Sequence, residues 1–272
     1  MDGRGYLYFP GCTLSTTARR LDLAARSVAS ALGVPLRELA DWNCCGATFP
    51  LAVDNLMALA GPARILADAR SQGAELVTLC ATCYHVLRRT NVWLQTHPEK
   101  RELINYFNES DYQGDLRVIH FVELLRDVVG LEAIAARVVQ PLTGLRLAPY
   151  SGCLLLRPAA ELGLDDPERP ALLGRVLASL GCQVVGYSMA GECCGSYLAV
   201  SAPEAAAECT ARVLLSAARA GADCVVAACP LCHFNLGTWQ DATRRLHPSF
   251  GGLPVYYFTE LMAWALGIEE PP

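Results

Sequence analysis

Short apolar runs alternate with longer amphipathic stretches along this chain, and the whole series occurs twice. Tyr6-Leu7-Tyr8-Phe9 and Leu147-Ala148-Pro149-Tyr150 each read as a strand that runs into Gly-Cys. Amphipathic stretches from about Thr16 and about Glu168 predict helices that stop at Gly33 and Gly181, with a strand after each. Residues 53–71 and 203–220 predict a second pair of helices, ending at Gly73 and Gly221. The continuously apolar runs at 75–79 and 224–228 read as buried strands, and a helix opens after each. Last come Val118-Ile119-His120 and Val255-Tyr256-Tyr257, strands running into helices that end at Gly130 and Gly267.

Strand–helix alternation of this kind predicts α/β architecture: two pseudo-symmetric repeated domains, each a small, mainly parallel sheet flanked by helices. The repeat places one domain at residues 1–140 and the other at 141–272, with the boundary near Gln140 to Gly144. Two insertions break the repeat. Between Cys83 and Val118 the first half is longer by twelve residues, near His97 to Asp115. Between Cys153 and Cys193 the second half is longer by eight, near Leu162 to Arg169, where Asp165-Asp166-Pro167 reads as a loop.

Composition narrows the function class. The chain has 272 residues, 53% of them hydrophobic, enough to bury one or two cores. A net charge of −5 without a long basic run argues against nucleic acid and against an anionic membrane surface. No window holds some eighteen uncharged apolar residues, so no transmembrane segment is expected. The start of the chain lacks a cationic, apolar leader, and the expected location is cytoplasmic. In that compartment thirteen cysteines point to ligation and not to a disulfide framework.

Ten of those cysteines form one pattern twice: Cys12, Cys44-Cys45, Cys80-x-x-Cys83, then Cys153, Cys193-Cys194, Cys229-x-x-Cys232. Thiolates are soft ligands, and a CxxC at a strand-to-helix turn offers two sulfurs to one ion or one cluster edge. Zinc in one half is the alternative. A structural zinc takes four ligands, however, and adjacent cysteines bind one tetrahedral ion only with strain, so five sulfurs per half favour a polynuclear iron–sulfur centre.

Both Cys-Cys-Gly cores and both CxxC motifs resemble the CCG (cysteine-rich) family, most closely those members that form the B subunit of heterodisulfide reductase. The match extends through 42-WNCCGAT-48, 152-GCLLLRP-158, 229-CPLCHFNL-236 and 257-YFTEL-261, nearly the whole chain. The resemblance implies two noncubane [4Fe-4S] clusters. One would be held by Cys12, Cys44, Cys45, Cys80 and Cys83, the other by Cys153, Cys193, Cys194, Cys229 and Cys232. It further implies a thiol/disulfide oxidoreductase component that splits, or in reverse forms, a small disulfide between the two clusters. Its partners in a heterodisulfide-reductase-type complex would be the ferredoxin-like iron–sulfur protein (the C subunit) and the flavoprotein (the A subunit). The chain has no G-x-G-x-x-G of its own for flavin or nicotinamide. The other reading is a non-catalytic electron-transfer component of a related complex, of the sulfur-oxidising, quinone-linked fumarate reductase or lactate-utilisation kind.

Other residues carry weaker signals. His85 and His233, two and one residues past a CxxC, are the candidate proton donors; surface or core histidines are the alternative. Gly46 and Gly195 would bring backbone N–H groups to the sulfurs or supply a positive φ. Cys182, Cys209 and Cys224, unmatched between the halves, read as structural thiols. Glu123 and Glu260 read as helix caps, and Arg88-Arg89 and Arg244-Arg245 as solvated helix faces, with contact to an anionic substrate or partner as the alternative.

Overall fold

A computed structural model describes residues 6–47, 55–73 and 75–271. In the first half, β1 (Tyr6–Phe9) leads through a short turn to α1 (Arg19–Ala31) and β2 (Leu36–Glu38). Then follow α2 (Ala60–Ser71), β3 (Leu76–Thr78), α3 (Ala81–Thr96), α4 (Pro98–Asn108), β4 (Val118–His120) and α5 (Phe121–Leu124). The second half repeats the series with β5 (Arg146–Tyr150), α6 (Ala159–Leu162), α7 (Leu172–Ala178) and β6 (Gln183–Val184). It ends with α8 (Pro203–Arg219), β7 (Cys224–Ala227), α9 (Pro230–Thr238), α10 (Gln240–Leu246), β8 (Val255–Tyr257) and α11 (Phe258–Ala265).

Both sheets are four-stranded and wholly parallel, with orders β2-β1-β3-β4 and β6-β5-β7-β8. Helices cover both faces, so the central strands are buried throughout. Leu76-Val77-Thr78 and Cys224-Val225-Val226-Ala227 have no polar alternation because neither face meets water. Around them α1 buries Leu21, Ala24, Ala25, Val28 and Ala29, an i, i+3, i+4 stripe. The alternation, the repeat and the parallel sheets expected from sequence are all present.

The halves hold each other by exchanging their last helices. α11 packs on α1 of the first half, and α5 packs on α7 of the second. At the start of those helices the equivalent residues Phe121 and Phe258 face each other at a centroid distance of 6.2 Å. A pseudo-twofold axis therefore runs between them.

Several boundaries differ from the sequence reading. The second-half helix expected from Glu168 begins at Leu172, because Asp165 Oδ2 accepts the Ala171 and Leu172 N–H groups at 2.7 and 2.6 Å and sets the first turn there. Asp165-Asp166-Pro167 lies in a loop between α6 and α7, as expected. The helix expected from Thr16 begins at Arg19, after a short separate turn at Gly11–Leu14. In the first half the twelve extra residues make α4, anchored by Asn108 Nδ2 donating to the Ala60 carbonyl at 2.8 Å. The expected helix start at Val53, and Thr48 of the Cys-Cys-Gly motif, lie outside the described residues.

Candidate metal centre

All ten cysteines of the repeated pattern follow the carboxyl ends of strands, and the two first cysteines and both CxxC motifs sit where connections leave the sheet in opposite directions. In the first half Cys12 follows β1 and Cys80 follows β3, its immediate neighbour in the sheet. Open α/β sheets place ligands at such switch points because the loops there diverge and leave a crevice. Cys80 and Cys229 each occupy the N-cap position of the next helix. The helix dipole favours thiolate there.

Within each half the sulfurs string together. Cys44 Sγ lies 4.0 Å from Cys12 Sγ, and Cys45 Sγ lies 3.4 Å from Cys83 Sγ. In the second half Cys194 Sγ is 3.6 Å from Cys232 Sγ, and Cys153 and Cys193 are near enough to shift each other's titration. Each close pair splits, one sulfur lowered and its neighbour raised. The Cys83 hydrogen bond draws Cys45 down to about 7, and that of Cys153 draws Cys193 down to about 6. Cys83 and Cys232 are correspondingly pushed up by their contacts with Cys45 and Cys194, with burial adding to the rise.

Backbone geometry serves the sulfurs directly. Gly46 and Ala47 both have positive φ, +86° and +63°, and so do Gly195 and Ser196, at +94° and +38°. This doubled left-handed turn aims successive N–H groups inward. Those of Gly46 and Ala47 bond Cys44 and Cys45, and those of Gly195 and Ser196 bond Cys193 and Cys194. Close approach to sulfur falls to other glycines. A Cβ on Gly11 would stand 2.8 Å from Cys83 Sγ and one on Gly152 3.2 Å from Cys232 Sγ, whereas one on Gly46 would meet nothing. At Gly195 the close neighbour is the backbone of Ala206, at 2.7 Å.

The two sets also meet. Cys80 and Cys229, equivalent in the repeat and both buried, lie close enough across the halves to shift each other's titration. That contact, and then the one with Cys83, holds Cys80 well below the usual thiol range. In Cys229 the Cys232 contact lowers and the Cys80 contact raises, and with burial the result is about 12.

Beside this junction lies a cavity of about 570 Å³. The five cysteines of the first half form its floor, and Leu231, Phe234, Tyr257 and Tyr197 of the second half form a wall. Arg20 stands at the edge, its Nη2 2.8 Å from Glu260 Oε1. Tyr197 reaches across from the second half to donate to the Ala47 carbonyl.

The two candidate histidines are placed differently. His233 lines the cavity, stacked on Tyr257 at 4.0 Å, and burial lowers its pKa. His85 sits between the halves. Arg89 Nη1 lies 3.2 Å from its Nε2, and its Nδ1 lies 3.3 Å from the Leu154 carbonyl, which suits a neutral ring donating from Nδ1. Arg88 and Arg89 are not a solvated face: both bond Glu161, on α6. Of the two expected caps, Glu260 accepts the Tyr257 N–H at 2.9 Å, while Glu123 lies 3.6 Å from Arg117 and the Val122 N–H goes to His120. Cys224 is buried, and Cys182 hydrogen-bonds the Leu177 carbonyl. Sequence reasoning missed Arg20 and Tyr197, which lie in no motif and reach the site only when the halves close.

The donor set suits a polynuclear group. Among the described residues no three His, Cys, Asp or Glu side chains close on a single ion; the sulfurs run in a chain of pairwise contacts. Such a spread lets different thiolates bind different metals of one cluster.

Comparison with known proteins agrees with the repeat. The profile of a family described as Cysteine-rich domain (CCG) matches residues 6–88 and again 147–237. The chain is 33% identical to the membrane anchor of the 8-methylmenaquinol:fumarate reductase of Wolinella succinogenes, over 97% of this chain and 92% of that one. It is 28% identical to the B subunit of the Ferredoxin/F(420)H(2)-dependent CoB-CoM heterodisulfide reductase of Methanosarcina acetivorans, over 96% of this chain and 89% of that one. A protein of Archaeoglobus profundus, named as like the B subunit of heterodisulfide reductase, is also 28% identical, over 97% and 91%. In fold, the chain superposes with a TM-score of 0.76 on a hypothetical protein from Helicobacter pylori, at 13% identity, covering 99% of this chain and 50% of that one.

Proposed function

The chain belongs to the cysteine-rich CCG family, and from that premise we propose that it is the thiol/disulfide-handling iron–sulfur component of a heterodisulfide-reductase-type complex. The observation that carries this reading is the convergence of two five-cysteine sets on the Cys80–Cys229 contact, beside a cavity wide enough for a small ligand. In this reading Cys12, Cys44, Cys45, Cys80 and Cys83 hold one [4Fe-4S] cluster of noncubane type, and Cys153, Cys193, Cys194, Cys229 and Cys232 hold another. Bound there, iron–sulfur clusters supply single electrons, and two of them match the two that a disulfide takes.

The chain's own residues do the rest. Leu231 and Phe234 offer apolar surface to the ligand, Thr82 and Tyr257 offer hydroxyls, and Arg20 offers charge. His233 is the proposed proton donor, because it lines the cavity where a thiolate would leave. Thirteen free cysteines suit a reducing, cytoplasmic setting. Electrons would enter from partner proteins, a ferredoxin-like iron–sulfur protein and a flavoprotein.

A second reading, an electron-transfer component of a quinol-linked complex, is favoured by the 33% identity to a protein named as a fumarate reductase membrane anchor. Among the described residues no helix is long and apolar enough to cross a membrane. One experiment separates the readings. Anaerobically prepared protein should carry about eight irons per chain, as two four-iron clusters require, and with a chemical one-electron donor should reduce a small disulfide unaided. A fully loaded protein that leaves the disulfide intact is a relay; stoichiometric zinc without iron sinks both.

A further inference from the structure

The repeat makes each cysteine set a reference for the other, because whatever both halves supply cancels in the comparison. Both sets receive the same backbone N–H bonds from the turn after the cysteine pair. They differ in one buried side chain. Asn235, on α9 one turn past Cys232, is 0% exposed, and its Nδ2 lies 3.5 Å from Cys194 Sγ, 3.2 Å from the Cys194 carbonyl and 3.3 Å from the Ser196 carbonyl. Counting from the cysteines, its first-half counterpart is Val86, equally buried and unable to donate. Among the described residues no amide or hydroxyl side chain reaches Cys45. The one such contact in that set is Thr13 Oγ1, 3.8 Å from the exposed Cys12.

The orientation of the amide follows from its neighbours. Turned over, Asn235 would press Oδ1 against two carbonyl oxygens, so Nδ2 faces them and the sulfur. Oδ1 is left buried without a partner among the described residues. An amide satisfied on one side only costs stability that a valine, as at position 86, does not. Nor does the loop depend on Asn235 alone, since Thr210, fully buried on α8, donates to the same Cys194 carbonyl at 3.1 Å. What Asn235 alone brings to the cysteine pair is a side-chain N–H at sulfur.

We propose that Asn235 sets the two centres apart: its N–H, donated to Cys194 Sγ, makes the second-half centre the more readily reduced, so that the first electron delivered by an iron–sulfur partner rests there. Reduction adds negative charge at the thiolate ligands, and a hydrogen bond to sulfur strengthens as that charge grows, most of all in a buried setting. This rests on the iron–sulfur reading above and concerns the order in which its two centres fill. Asn235 acts through Cys194 and is a positioning residue.

The test is a redox titration of the anaerobic, iron-loaded protein with dithionite, followed by electron paramagnetic resonance. Two midpoints are expected. In Asn235→Val the higher one should fall by at least a tenfold change in the ratio of reduced to oxidised centre, about 59 mV for one electron, while the lower one stays. Thr210→Val, which removes a bond to the same loop but none to sulfur, should leave both in place. A single wild-type midpoint, no fall in iron-loaded Asn235→Val, a fall in the lower midpoint instead, or an equal fall in Thr210→Val overturns the inference and leaves the proposed function standing. Should Asn235→Val hold no iron, Cys193→Ala decides: the signal it loses belongs to the second half, and that signal must have the higher midpoint in the wild type, the reverse order overturning the inference. A wild-type protein without iron overturns the proposed function and this inference with it.

Discussion

At the scale of single residues, the site depends on groups whose side chains are small or absent. Gly11 has φ +69° and Gly152 +66°, and a methyl group at either would press on the sulfur of the CxxC beyond it. Gly11→Ala should therefore lose first-half iron on anaerobic reconstitution, and Gly152→Ala should lose less from the second half, since its Cβ has 0.4 Å more room (3.2 against 2.8 Å). Iron analysis with electron paramagnetic resonance reads both. His120 shows the opposite economy, a buried ring with both nitrogens satisfied. Val122 N–H donates to Nδ1 at 3.3 Å and Nε2 lies 3.0 Å from the Leu79 carbonyl, so the neutral ring fits and the cation does not. Burial lowers its pKa from 6.5 to about 4. A folded-state value below the unfolded one means that stability is complete above pH 6.5 and falls as pH drops toward 4, by roughly 3 kcal/mol at about 1.4 kcal/mol per unit. In denaturant titrations at several pH values, His120→Gln should flatten that acid limb.

At the scale of elements, periodicity located most helices and strands, and it failed where a distant side chain set the boundary. Helix α7 begins at Leu172 because Asp165, seven positions earlier, caps it across a loop. Asp165→Ala should cost about 1 kcal/mol, the usual value of a lost cap, and chemical denaturation would show it as a lower midpoint. The doubled positive-φ turn after each cysteine pair was half legible. Glycine at 46 and 195 announced it, but Ala47 and Ser196 are residue types that seldom adopt such a conformation and gave no local signal. They hold it because their N–H groups bond the buried thiolates of Cys45 and Cys194.

For the whole molecule, the exchange of last helices couples the halves. Phe121 and Phe258, both fully buried, meet on the pseudo-axis. Phe258→Ala should cost about 3–5 kcal/mol, as removal of a buried aromatic does, and it should lower the stability of both halves together. Intrinsic fluorescence and far-ultraviolet circular dichroism should still report one coincident transition. Separate transitions would mean that the halves fold independently and merely touch.

The sequence by itself determined the repeat, the parallel α/β architecture and the ten cysteines, because hydrophobic period and ligand spacing are local properties of a chain. It also marked both insertions, though not their roles. Only the tertiary structure decided that Cys80 meets Cys229, that Arg20 and Tyr197 join the site, and that His85, Arg88, Arg89 and Tyr84 bond residues 154–162 across the halves. Those contacts join residues about 70 to 150 positions apart. They follow from how two similar halves pack, and two nearly symmetric surfaces can meet in nearly symmetric ways that no spacing along the chain distinguishes.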